Sequence, residues 1–167
     1  MAIVFKSRVF AVEVTRKRFP SGREHEVTVV RHAPSVVLIP ITAEGRVVLV
    51  RQFRASVERE LWEMPAGSLN PGESAEAGAA RECEEEIGMV PGHVERLCAL
   101  YPAPGFCDET LIFLKLSQLA PPPPNSTRQP DEDEEILAES FAIADAKAML
   151  ERGEIVDLKT AYALTLI

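Results

Sequence analysis

The segment from Ser74 to Ile87 constrains this chain most, because it is marked as a helix at both ends and along its length. Ala79, Cys83 and Ile87 recur every four residues, which puts them on one helical face toward a core. Ser74 is placed to cap the first turn, and Glu73 and Glu76 suit the positive end of the helix dipole. Gly88 stands where a left-handed residue closes a helix. Glu82, Glu85 and Glu86 fall at i, i+3 and i+4, so their carboxylates share a face, and that face is expected to lie largely opposite the apolar one. Three carboxylates this close repel one another. Hard divalent cations that take oxygen ligands, such as Mg²⁺, relieve that repulsion. Arg81 can neutralise part of the charge or orient Glu85. A solvated acidic helix face would show the same run, so the triplet alone leaves both readings open.

Before this helix the pattern is that of strands. Val9 to Thr15 and Glu26 to Arg31 alternate apolar and polar residues around a Pro20-Ser21-Gly22 turn, an antiparallel hairpin. Ser35 to Thr42 and Arg46 to Phe53 are richer in Val, Leu and Ile. With Ala43-Glu44-Gly45 between them they are expected to form a second, more buried hairpin. After the helix, strands are expected at His93 to Tyr101, Thr110 to Leu116 and Ala138 to Ile143. A helix is expected from Ala144 to Arg152, and a last one capped by Asp157. A loop is expected from Ser117 through Glu134, and Pro121 to Pro124 within it cannot enter a central ladder. This order predicts an α+β chain, with residues 1–33 as a hairpin region ahead of one domain over 34–167.

Charge narrows the partners. The chain carries 18 Lys and Arg against 26 Asp and Glu, a formal −8, which disfavours long nucleic acids because phosphate backbones are held by clustered cations. A small anionic substrate stays open if a metal helps to bind it. Cys83, Cys98 and Cys107 have no paired spacing, which points to free thiols and a reducing compartment. Lys6 and Arg8 interrupt the N-terminal apolar stretch, no run is long enough for a membrane helix, and the expected location is cytoplasmic.

The frame around the glutamates decides between the two readings of the triplet. Gly67, five residues, Glu73, seven residues, Arg81-Glu82-Cys83, one residue, Glu85-Glu86, one residue, Gly88-Met89 resembles the Nudix box, G-x5-E-x7-R-E-U-x-E-E-x-G-U, with Cys83 at a position usually taken by a bulkier apolar residue. The resemblance implies the Nudix fold, an α/β/α sandwich with a mixed sheet, here preceded by the N-terminal hairpin. It also implies metal binding by Glu82, Glu85, Glu86 and the carbonyl of Ala66, with Mg²⁺ as cofactor and Mn²⁺ able to substitute. The implied reaction is attack of water on one phosphorus of a diphosphate, with Glu85 and Arg81 among the catalytic residues.

The flanks are similar to the ADP-ribose pyrophosphatase group. They are Arg51-Gln52-Phe53-Arg54, Leu61-Trp62-Glu63-Met64-Pro65-Ala66-Gly67, Tyr101-Pro102-Ala103-Pro104-Gly105-Phe106 and the acidic stretch Asp131 to Ile136. This implies hydrolysis of ADP-ribose to AMP and ribose 5-phosphate. Other nucleoside diphosphate sugars, such as GDP-mannose or ADP-glucose, form the nearest alternative, and a nucleotide-sensing module without catalysis a distant one. By position Glu132 would be the general base, with Glu109 its rival, and Glu134 an additional contact. Arg51, Arg54, Glu63 and Pro104 are the candidate substrate contacts. Trp62 reads as core and the three histidines carry no metal-ligand spacing. The resemblance further implies a homodimer built on the N-terminal strands, where Phe5, Phe10 and Phe19 could serve the interface or stack on a base.

Overall fold

The computed structural model describes residues 1–126, 128 and 135–167. In chain order the elements are β1 (Ala2–Lys6), β2 (Phe10–Arg18), β3 (Glu24–His32), β4 (Ser35–Pro40), β5 (Arg46–Arg54), β6 (Arg59–Glu63), β7 (Ala66–Ser68) and α1 (Ala75–Ile87). They continue with β8 (Val90–Leu100), β9 (Leu111–Ala120), β10 (Ile136–Ala142), α2 (Ile143–Glu151), α3 (Leu158–Ala163) and a closing 3-10 turn, Leu164–Leu166. None of the described helices is long and apolar enough to cross a membrane.

The strands form three sheets: β1-β2-β3, β10-β5-β6, and a mixed sheet β7-β4-β9-β8 in which β4 and β9 run parallel. The expected N-terminal hairpin is β2 and β3, and β1 adds a third antiparallel strand to it. The second expected hairpin does not form as a ladder. The turn after β4 closes, with Gly45 N–H donating to Thr42 O at 3.0 Å, but β4 and β5 share only the bridge Ile41–Val47 before entering different sheets. A short turn dictates that two strands are neighbours at one end; which ladder each joins is decided by partners far along the chain.

All six residues of β4 are buried, and its alternation serves two cores. Val36 and Leu38 meet Ala75, Ala79 and Cys83 of α1, whereas Val37 and Ile39 meet Val47 and Leu49 of β5 together with residues of α2 and α3. That two-sided burial is the sandwich: α1 covers one face of the mixed sheet, and the β5 sheet with α2 and α3 fills the other. Trp62 packs against the second of these cores, edge-on to Phe141 at 5.1 Å between ring centroids.

Helix α1 ends as its sequence dictates. Ser74 Oγ accepts from Ala77 N–H, and Gly88 takes φ +66° while its N–H closes on the last carbonyls, a conformation that costs a residue with a Cβ about 1 kcal/mol. Its charged face differs from the simple amphipathic expectation. Glu82 and Glu86 are only 8 and 9 % exposed, flanking Ala79 and Cys83 and not facing away from them. Four-residue spacing advances around the helix, so carboxylates at 82 and 86 border the apolar stripe. Burial pushes the Cys83 thiol up to about 12, so it acts as a small core residue.

Candidate active site

Arg81 is the hub of one wall of an open cleft. Its Nη1 donates to Glu82 Oε1 at 2.7 Å and to Glu85 Oε2 at 2.9 Å. Its Nε and Nη2 grip both oxygens of Glu73 at 3.0 and 2.9 Å, and Nη2 also reaches the Ser68 carbonyl at 3.0 Å. One guanidinium thereby pins the loop after β7 onto α1. The Arg81 bond holds the Glu73 carboxyl below the usual range despite some burial, and the three carboxylates raise Arg81 further. Gly67 leaves room for this carboxylate: a Cβ at this position would sit 1.9 Å from Glu82 Oε1 and displace it. The Glu82 carboxylate thus occupies the space beside the β7 backbone that a side chain at 67 would take.

A second charged cluster lies beside it. Arg54, at the end of β5, donates through Nε and Nη2 to the two oxygens of Glu63, both at 2.8 Å. Lys159 at the start of α3 also donates to Glu63 and lies 3.1 Å from Asp157 Oδ2. Asp157 caps α3 by accepting from Thr160 N–H and Oγ1, and Met64 N–H donates to Thr160 Oγ1 at 2.6 Å. Glu63 is 1 % exposed. Burial alone would raise its carboxyl, but Arg54 and Lys159 outweigh that and hold it low.

A third group stands where β3 passes into β4. Glu109 Oε1 accepts from Ser35 Oγ at 2.8 Å and lies 3.4 Å from His32 Nδ1. The same Nδ1 is 2.7 Å from the Ala33 carbonyl. A carbonyl only accepts, so this nitrogen carries the ring proton.

The cleft has a volume of about 1650 Å³ and is open to solvent. Of the expected site residues, Arg54, Ala66, Arg81, Glu82, Glu85 and Glu109 line it. Glu63, Glu86, Arg51 and Pro104 are not in that lining. Glu63 stands directly behind Arg54. The Arg51 guanidinium lies 5.7 Å over the Trp62 ring and 3.8 Å from Glu60, and Pro104 is exposed on the loop before β9. Glu132 and Glu134 lie outside the described residues. The structure adds His32, Ser35 and Lys159 to the lining, with the exposed aromatics Phe10, Phe53 and Tyr101. A lone histidine, a strand-initial serine and a lysine near the C-terminus carry no spacing by which sequence reading could have picked them out.

The donor set suits a hard divalent ion. It offers carboxylates on α1 and, against Glu82, a stretch of β7 backbone stripped of its Cβ at Gly67. Among the described residues no three such groups are already gathered for a metal; Arg81 Nη1 sits between the oxygens of Glu82 and Glu85.

Known proteins resemble this chain in sequence and in fold. The family model described as NUDIX domain matches residues 31–161. The ADP-ribose pyrophosphatase of Bacillus subtilis (strain 168) is 36% identical over 164 residues, covering 96% of this chain and 86% of the relative. The methanol dehydrogenase activator of Bacillus methanolicus is 33% identical over 161 residues, with the same coverage. Among solved structures, an ADP compounds hydrolase superposes with a TM-score of 0.80 at 25% identity, covering 99% of this chain and 88% of that one.

Proposed function

We infer the reaction in detail from one premise: this chain belongs to the Nudix family and is a pyrophosphatase of that family. Hydrolases of this family generally use a divalent metal. The proposed substrate is ADP-ribose, cleaved with water to AMP and ribose 5-phosphate. The observation that carries this reading is the Arg81-held pair Glu82 and Glu85, Glu82 lying against Gly67, at a cleft that Arg54 also lines.

Glu82, Glu85, Glu86 and the Ala66 carbonyl would hold the metal, which we take to be Mg²⁺ with Mn²⁺ as a substitute. When bound, it supplies neutralisation of the diphosphate charge and of the departing phosphate. The chain's own groups do the rest. Arg54, oriented by its two bonds to Glu63, presents the remaining guanidinium edge to a phosphate; we assign it this contact ahead of Arg51. Arg81 keeps Glu85 in place. Water adds to one phosphorus, the anhydride P–O bond breaks, and the proton of the water passes to a carboxylate. Glu132 is our first choice as that base, and Glu109, held by Ser35, is the second. Glu134 and Pro104 would contribute from the loops around the substrate.

The β1-β2-β3 sheet would act as a dimerisation element. Ile3, Val4 and Phe5 of β1 are each 52 to 60 % exposed, apolar side chains that a second copy would cover. Residues 1–33 and 34–167 are thus read as an assembly region and a hydrolase domain. Three unpaired cysteines fit a reducing cytoplasm.

The test is a panel of ADP-ribose, GDP-mannose, ADP-glucose and nucleoside triphosphates with Mg²⁺ and then Mn²⁺, compared by kcat/KM. ADP-ribose should rank first and give AMP and ribose 5-phosphate in equal amounts. A higher value for another sugar nucleotide would move the specificity and leave the assigned residues in place.

A further inference from the structure

The N-terminal sheet is tied to the cleft by more than chain continuity. The loop before β9 is sewn to β3 by Val30 N–H to the Phe106 carbonyl at 2.7 Å and Asp108 N–H to the Val30 carbonyl at 3.1 Å. The Asp108 carboxylate then bridges two consecutive residues of β3. Oδ1 accepts from His32 N–H at 3.0 Å and Oδ2 from Arg31 Nη1 at 2.7 Å. Arg31 continues inward, its Nε donating to Glu13 Oε2 of β2 at 2.7 Å. Glu13 is 5 % exposed, and its other oxygen has no partner among the described residues.

A sheet whose task ended at assembly would be served as well by an apolar residue at 13, because desolvating a carboxylate is costly. Here the carboxylate orients Arg31, Arg31 orients Asp108, and the next residue is Glu109, held in turn by Ser35 with His32 3.4 Å away. The charges are locked: Arg31 lowers Glu13, its two carboxylates raise Arg31, and Asp108 stays low because Arg31 and the His32 N–H outweigh its burial. Glu13 lies outside residues 31–161, the part that matches the family model.

We propose that Arg31 and Asp108 are positioning residues for the cleft, and that through Glu13–Arg31–Asp108 the N-terminal sheet fixes where Glu109 stands. The inference rests on the reading of Glu109 as a group that meets the substrate or the attacking water. Displacing such a group by about 1 Å can cost on the order of 10²-fold in rate.

The test is a cycle of Asp108→Ala and Glu109→Gln in the full-length chain, with kcat, KM and Tm read for each. The Asp108 side chain is 42% exposed, so its truncation leaves no buried gap. Asp108→Ala should lower kcat about 10-fold with Tm nearly unchanged, and should have less than about a twofold further effect once Glu109 is Gln, because neighbours acting through one group are not additive. Asp108→Asn keeps an acceptor for the His32 N–H and should recover part of the loss; it also serves the cycle if the alanine variant folds poorly. A slow Glu109→Gln beside a normal Asp108→Ala would overturn the positioning role alone. Equal losses in both backgrounds would overturn it too, since the effect would then bypass Glu109. A normal Glu109→Gln would remove the underlying reading and this inference with it.

Discussion

Two clusters of paired charges border the cleft and differ in balance. Around Arg81 a single cation faces the three carboxylates of Glu73, Glu82 and Glu85; around Glu63 two cations, Arg54 and Lys159, face two carboxylates, Glu63 and Asp157. The first gathers three carboxylates on one guanidinium at the cleft wall, so they crowd one another there. The second is self-compensated, with Glu63 sealed from water, and joins β5, β6 and α3. The crowded cluster is the one we assign to chemistry, and the balanced one is the frame beside it.

Four variants break or sharpen this contrast. The largest effect is expected from Glu85→Gln, which should lower kcat by about 10²–10³-fold without lowering Tm, because removing one of three crowded carboxylates relieves repulsion. Near-normal turnover would sink the assignment of chemistry to the acidic face. Next comes Glu63→Gln, which takes the charged partner from Arg54, leaves Lys159 with Asp157 alone, and should cost about 3 kcal/mol in urea unfolding. Because the Glu63 carboxyl is held below its ordinary value of 4.5, its stabilisation is complete above that pH and is lost as pH falls through the lower native value. The gap between wild type and Glu63→Gln should therefore be constant near neutrality and close below about pH 4.5. A gap that instead widens in acid would contradict the balanced description.

Gly67→Ala should follow, with kcat down about 10-fold and the fold kept, since the new Cβ would push directly on the Glu82 carboxylate; the loss should be matched by weaker Mn²⁺ binding in titration. Gly88→Ala is the smallest, about 1 kcal/mol of stability from the left-handed cap with no change in kcat.

The same contrast explains how far the sequence could be read. The Arg81 cluster lies within residues 73–85, inside one helix and its leading loop, so caps, periodicity and the box pattern sufficed to place it. The Glu63 cluster draws on residues 54 to 159, and no local pattern ties Lys159 to Glu63. Glu109 was named from the sequence, but its neighbours His32 and Ser35 were not, because they meet it only through the parallel pairing of β4 with β9. The strands β6 and β7, five and three residues long, were absorbed into the Leu61–Gly67 motif. The turn between β4 and β5 was recognised while their pairing was misassigned, since turn chemistry is local and ladder choice is not.

The two-sided burial of β4 has a consequence for how the chain finds its alignment. A slip of one residue along this strand would exchange Val36 and Leu38 with Val37 and Ile39, an apolar pair for an apolar pair, so oiliness is nearly blind to the parity of the strand. A polar contact at the strand's mouth does depend on which residue stands there: Ser35 Oγ donates to Glu109 Oε1. The cleft thereby acts as a registration mark for the central strand, so that Ser35→Ala would loosen alignment at the same place where it loosens Glu109.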